Sequence, residues 1–128
     1  MPTTPSTSRP MRVLRVDASA RIEGSITRKL ADRMIDGMRD RIPGLSVTRR
    51  DLAQGLPFVD DAWVNANLTD PDVRDESQRH TLAVSDALVA EVMAADVWVI
   101  ATPIYNFGVP ASLKAWIDQI ARARLTFR

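Results

Sequence analysis

The run Val97-Trp98-Val99-Ile100-Ala101 constrains this chain more than any other stretch. It is apolar at every position and rich in β-branched residues, the pattern of a strand buried on both faces of a parallel sheet. Thr102-Pro103 closes it, because proline has no N–H to give to a ladder. Pro110 then stands where a helix can begin without losing a hydrogen bond. Beyond it Leu113, Trp116, Ile117 and Ile120 recur at helical spacing and are expected to face inward, with Lys114, Asp118, Gln119 and Arg122 facing out. The segment Ile104 to Val109 is therefore a loop at the carboxyl end of a parallel strand, where open α/β sheets bind ligands.

The remainder repeats the alternation. Met11 to Val16 reads as a first strand, and Asp17 to Gly24 as a loop. Ser25 is an N-cap candidate for a helix over about Ile26 to Arg41, with Ile26, Leu30, Met34 and Met38 at i+4 spacing and Ala31 and Ile35 beside them. Pro43-Gly44 stops that helix, and Leu45 to Asp51 alternates as a polar edge strand. A short helix is expected near Asp61 to Asn67. A longer one is expected over Ser77 to Ala94, with Leu82, Leu88, Val89, Val92 and Met93 inward. The last helix runs from Pro110 to about Ala123. Residues 2–10, rich in proline, serine and threonine, read as a disordered tail preceding one domain over 11–128.

The order β-α-β-α-β-α implies parallel pairing with right-handed crossovers. The apolar third strand belongs in the centre and the polar second at an edge, so the predicted spatial order is 2-1-3. That is the first half of a doubly wound, flavodoxin-like α/β sheet. Its switch point lies between strands one and three, where the loops Ser19 to Thr27 and Ile104 to Val109 converge.

Composition removes several function classes. The 17 Lys+Arg and 16 Asp+Glu residues nearly cancel, which gives no electrostatic basis for nucleic acid or acidic membranes. Cysteine is absent, which excludes disulfides and thiol catalysis and fits a reducing, cytoplasmic compartment. The lone His80 is poor material for a zinc site and reads as a residue at a helix start. No apolar run approaches the roughly 20 residues of a membrane helix.

At the switch point the first loop offers hydroxyls at Ser19, Ser25 and Thr27 beside a helix N-terminus, which suits an anion. Ser25 acting only as a helix cap remains an equal alternative. There is no Gly-rich dinucleotide fingerprint and no G-K-[ST], so the anion expected is a mononucleotide phosphate. Arg21 is the basic residue nearest this site, whereas Arg28, Arg33, Arg39 and Arg41, interleaved with Asp32, Asp36 and Asp40, read as a solvated helix face. In the second loop Tyr105, Asn106, Phe107 and Gly108 can cover a planar ring or form a plain structural turn.

The string Pro103-x-Tyr105-Asn106-x-x-x-Pro110-x-x-Leu113-Lys114-x-x-x-Asp118 resembles the flavin-loop signature of the FMN-dependent NADH-azoreductase (NADH:quinone oxidoreductase) family. Val13 to Leu30, Arg50-Asp51-Leu52-Ala53, Ala121-Arg122-Ala123 and Thr126-Phe127-Arg128 are similar to that family as well. The resemblance implies FMN as cofactor and NADH or NADPH as electron donor. It implies that Ser19, Ser25, Ile26 and Thr27 surround the flavin phosphate, with Ile26 serving through its backbone N–H. It also implies that Pro103, Ile104, Tyr105, Asn106 and Phe107 line the isoalloxazine. Hydride would pass through flavin N5 to a small quinone or azo acceptor, so no side chain is assigned a catalytic role. The resemblance further implies a homodimer, in which Trp63, Asn65 and Asn67 could reach the partner; Trp63 packing on its own domain is the competing expectation.

Members of that family continue past Thr126-Phe127-Arg128 with two more strands and a third flavin loop. The chain therefore reads as C-terminally truncated, with its third strand left as an exposed apolar edge and Leu125 and Phe127 without cover. Two other functions stay open: a flavodoxin-type electron carrier, which a net charge of +1 disfavours, and a non-catalytic fragment that needs a partner.

Overall fold

A computed structural model describes residues 9–21, 24–104 and 108–127. The elements are β1 (Arg12–Asp17), α1 (Ile26–Arg41), β2 (Ser46–Asp51), α2 (Asp61–Leu68), a 3-10 turn (Pro71–Val73), α3 (Glu76–Thr81), α4 (Ala83–Ala94), β3 (Val97–Ala101) and α5 (Ala111–Ile120). The three strands pair in parallel in the order β2-β1-β3, as expected. Val13 lies opposite Val47 and Val97, and Asp17 opposite Asp51 and Ala101, so the carboxyl ends of all three strands finish level.

Strand alternation divides β1 between two layers. Leu14 and Val16 pack with Leu88, Val92, Leu113 and Trp116 of α4 and α5. Val13 packs on the opposite side with Ile35 of α1, Leu45 and Val99. A smaller cluster of Trp63, Ala66 and Leu82 seats α2 beneath the main core. Trp98 meets Trp116 edge-on at 6.0 Å between ring centroids, a geometry favoured by the ring quadrupoles.

Several expected faces are rotated. In α1 the buried stripe is Arg28, Ala31 and Ile35, while Ile26, Leu30 and Met34 are exposed. The i, i+3, i+7 row therefore prevails over the more apolar i+4 row. The helix expected over Ser77 to Ala94 is two helices meeting at Leu82. An Asp75–Gln78 capping box starts the first, and the buried Leu82 carries the junction. Met93 and Ile117 face out rather than in, and Gln119 and Arg122, expected on the surface, are buried. α5 ends at Ile120, three residues short of the predicted end; Ala123 instead bridges to Phe127.

β3 is not buried on both faces. Trp98 is 46% exposed and Ile100 39%, and among the described residues no strand pairs with its outer edge. Leu30 and Met34 of α1 join Val99 and Ile100 in lining an open groove of about 230 Å³ there. Leu125 and Phe127 are exposed as well. Of the predicted tail, residues 1–8 fall outside the described residues, and Arg9 forms a two-pronged ion pair with Asp96 at 2.8 Å.

Candidate functional site

The site begins where β1 ends. Ala18 donates its N–H to Ala101 O at 2.9 Å, which ties the end of β1 to the end of β3. The chain leaves the sheet at Ser19 and returns through Gly24, whose φ of +70° lies in the left-handed region. Ser25 then caps α1, its side chain accepting from Arg28 N–H at 3.3 Å. Its hydroxyl also lies 3.1 Å from Thr27 Oγ1. Among the described residues the N–H groups of Ile26 and Thr27 have no hydrogen-bond partner.

The sequence-predicted residues converge at this point. Ser19, Arg21, Gly24, Ser25, Ile26, Thr27 and Pro103 line one depression of about 190 Å³. The loop after β3 thus meets the loop after β1 through Pro103, while Ile104 is exposed outside this depression. The predicted Tyr105, Asn106 and Phe107 lie outside the described residues. Ser112, in the first turn of α5, approaches from the other side, its hydroxyl donating to Ala18 O at 3.4 Å.

The depression suits an oxyanion. It is placed at the N-terminus of a 16-residue helix with no acidic residue in its first turn, so the first-turn N–H groups of Ile26 and Thr27, which have no partner among the described residues, and the helix dipole both favour negative charge. The hydroxyls of Ser19, Ser25 and Thr27 add donors, and exposed Arg21 adds a cation at the rim. These donors fit the oxygens of a phosphate group.

Beneath the loop lies a charged layer that sequence reasoning missed. Arg28 is only 5% exposed, although its position among alternating charges suggested a solvated face. Its guanidinium donates to Ser19 O at 2.9 Å, to Arg21 O at 2.8 Å, and to both carboxylate oxygens of Asp51 at 2.7 and 2.8 Å. The hydrogen bonds from Arg28 hold the Asp51 carboxyl down at about 2, with help from the N–H of Ala53. Asp17, fully buried, accepts from Arg15 at 3.0 Å and from Arg49 at 2.5 Å. Arg15 also reaches Asp32 at 2.5 Å and holds its carboxyl below the ordinary range. The available signal was the inward row: Arg28 shares a face with Ala31 and Ile35.

The other singled-out residues sit apart. Trp63 is buried within its own domain, and His80 is exposed in the last turn of α3. Among the described residues no group of His, Asp and Glu could hold a metal ion, and no helix is long and apolar enough to cross a membrane.

A parallel 2-1-3 sheet with an anion-suited cup at its switch point defines an open, doubly wound α/β protein. Residues 11–128 match the flavodoxin-like fold family, and the chain belongs to that family. It is 72% identical over 118 residues to an FMN-dependent NADH:quinone oxidoreductase of Thiobacillus denitrificans, covering 92% of this chain and 57% of that one. It is 52% identical over 117 residues to FMN-dependent NADH:quinone oxidoreductase 1 of Hahella chejuensis, covering 91% of this chain and 57% of that protein. The crystal structure of an azoreductase from Bacillus anthracis superposes with a TM-score of 0.82 at 29% identity, over 92% of this chain and 59% of that one. The chain thus spans rather more than half the length of the relatives it matches.

Proposed function

We propose that this chain carries the phosphate-binding half of the flavin site of an FMN-dependent NADH:quinone oxidoreductase or azoreductase. The supporting observation is the cup where Ser19, Ser25, Ile26 and Thr27 meet Pro103 at the N-terminus of α1. The names of the similar proteins, both FMN-dependent, support FMN as the phosphomonoester.

In this reading Ser19, Ser25 and Thr27 donate hydroxyls to the phosphate, and the N–H groups of Ile26 and Thr27 in the first turn of the helix add two donors. Pro103, Ile104, Tyr105, Asn106 and Phe107 line the ring. When bound, FMN supplies the hydride chemistry between NADH or NADPH and a small quinone or azo acceptor. The protein's task is then to bind, orient and shield, with no side chain acting as acid, base or nucleophile. The functional unit is a homodimer in the cytoplasm, and 11–128 act as one domain.

The test is FMN titration of the 128-residue chain, followed by flavin fluorescence, with size-exclusion chromatography on the same sample. Saturable binding, weakened by Ser25→Ala together with Thr27→Ala, is the expected result, and NADH oxidation with a quinone acceptor is then assayed. Binding that ignores both substitutions overturns the placement of the phosphate.

A further inference from the structure

We propose that Arg28, clamped by Asp51, is the positioning residue of the phosphate loop: its guanidinium fixes the Ser19 and Arg21 carbonyls and so turns the loop's hydroxyls toward a phosphomonoester. The proposal rests on the phosphate-site reading above and extends it to a residue that touches no ligand.

The geometry is specific. Arg28 Nε donates to Arg21 O at 2.8 Å, and Nη2 donates to Ser19 O at 2.9 Å. One planar group therefore holds two carbonyls of the same loop. The Ser19 hydroxyl accepts from Arg21 N–H at 3.1 Å, and among the described residues the acceptor for its own proton is Arg21 O, at 3.3 Å. Arg28 already engages that carbonyl more closely. The Ser19 proton is held only by that longer bond, and a ligand oxygen in the depression that Ser19 lines with Ser25 and Thr27 can compete for it.

Asp51 supplies the anchorage. It ends β2, two strands away from the loop after β3, and meets Arg28 as a bidentate carboxylate, the geometry that matches the guanidinium fork. Its Oδ1 also accepts from Ala53 N–H at 2.9 Å, which fixes the carboxylate from its other side. The pair places little net charge beneath the ligand. Arg28 thus contributes the shape of the loop rather than attraction for the anion. A lysine has no fork and can serve only part of this set.

The experiment compares FMN with riboflavin, which lacks the phosphate. For the wild-type chain FMN binds more tightly than riboflavin by roughly tenfold or more, the value of a few phosphate hydrogen bonds. Arg28→Gln lowers that ratio about tenfold, as expected when one strong hydrogen bond to the ligand is forfeited, and leaves riboflavin affinity within about twofold. Asp51→Asn, with its side chain partly exposed, keeps one acceptor oxygen for Arg28 and gives a smaller drop of the same kind. Arg28→Lys restores only part of the ratio. Parallel loss of FMN and riboflavin affinity in both variants overturns the proposal, because it assigns the pair a merely structural role. An unchanged ratio in both variants overturns it as well. A wild-type chain that does not distinguish FMN from riboflavin removes the phosphate-site reading itself, an outcome separate from either of these.

Discussion

Trp63 donates its indole N–H to Gln119 Oε1 at 3.0 Å, joining α2 to α5 across 56 residues of sequence. The same amide gives its own N–H to Pro57 O at 2.9 Å. Gln119 is buried, so these bonds are made away from water. Replacing it with leucine leaves the Trp63 N–H and the Pro57 carbonyl without partners. We expect Gln119→Leu to lower unfolding free energy by about 1–3 kcal/mol, the cost of stranding a buried polar group. Urea denaturation at neutral pH measures it. A variant as stable as the parent would mean that α2 is held by apolar packing alone.

Asp17 is the shared acceptor of the charged layer under the loop. Its removal in Asp17→Ala leaves the buried Arg15 with Asp32, which is largely solvent-exposed, and with the Arg28 carbonyl at 3.2 Å. Breaking such a buried arrangement from one side costs about 3–5 kcal/mol. Arg49→Ala should cost far less, because its side chain is half exposed. Chemical denaturation of both variants checks the ranking, and equal losses would contradict it.

The sheet was legible because its signals are local: an apolar five-residue strand, a polar strand, and helices bounded by proline, glycine and serine. The cup was legible because hydroxyls at Ser19, Ser25 and Thr27 share a loop that topology carries to the switch point. The charged layer was not. Arg28 and Asp51 lie 23 residues apart, and alternating charge along a helix describes a solvated face unless the buried row is known. That row was misassigned because Ile26, Leu30 and Met34 are the more apolar set, yet they are exposed, and Leu30 and Met34 line the open groove beside β3. Gln119 and Arg122 were misjudged for a related reason. Hydropathy gives no credit for partners such as Trp63, Ser85 and Asp86 that arrive from distant helices.

Acid should loosen the clamp over a defined range. The Asp51 carboxyl is held at about 2 in the folded chain, chiefly by hydrogen bonds from Arg28, against an ordinary value near 3.8. A folded value below the unfolded one means that the contribution is complete above about pH 4 and is lost as pH falls toward 2. Asp32, lowered by Arg15, adds loss of the same sign. We expect the urea midpoint of the wild type to decline through this window. In Asp51→Asn, which cannot titrate there, the decline should be shallower. Parallel profiles would place the acid sensitivity elsewhere.

The outer edge of β3 sets the behaviour of the chain at high concentration. Trp98 and Ile100 stand exposed along it, and Leu30 and Met34 extend the apolar surface onto α1. Unpaired backbone groups beside such residues are a template for pairing with another chain, and a contiguous apolar patch strengthens it. The 128-residue chain should therefore self-associate as its concentration rises. Ile100→Lys puts a charge on that edge while leaving the core contacts of Leu14, Val16 and Leu113 in place. We expect sedimentation velocity to give a species distribution that shifts with concentration for the wild type and shifts much less for Ile100→Lys, with similar helical signal in both. A wild-type chain that stays monomeric at the highest concentration would mean that the edge is protected by residues other than those lining this groove.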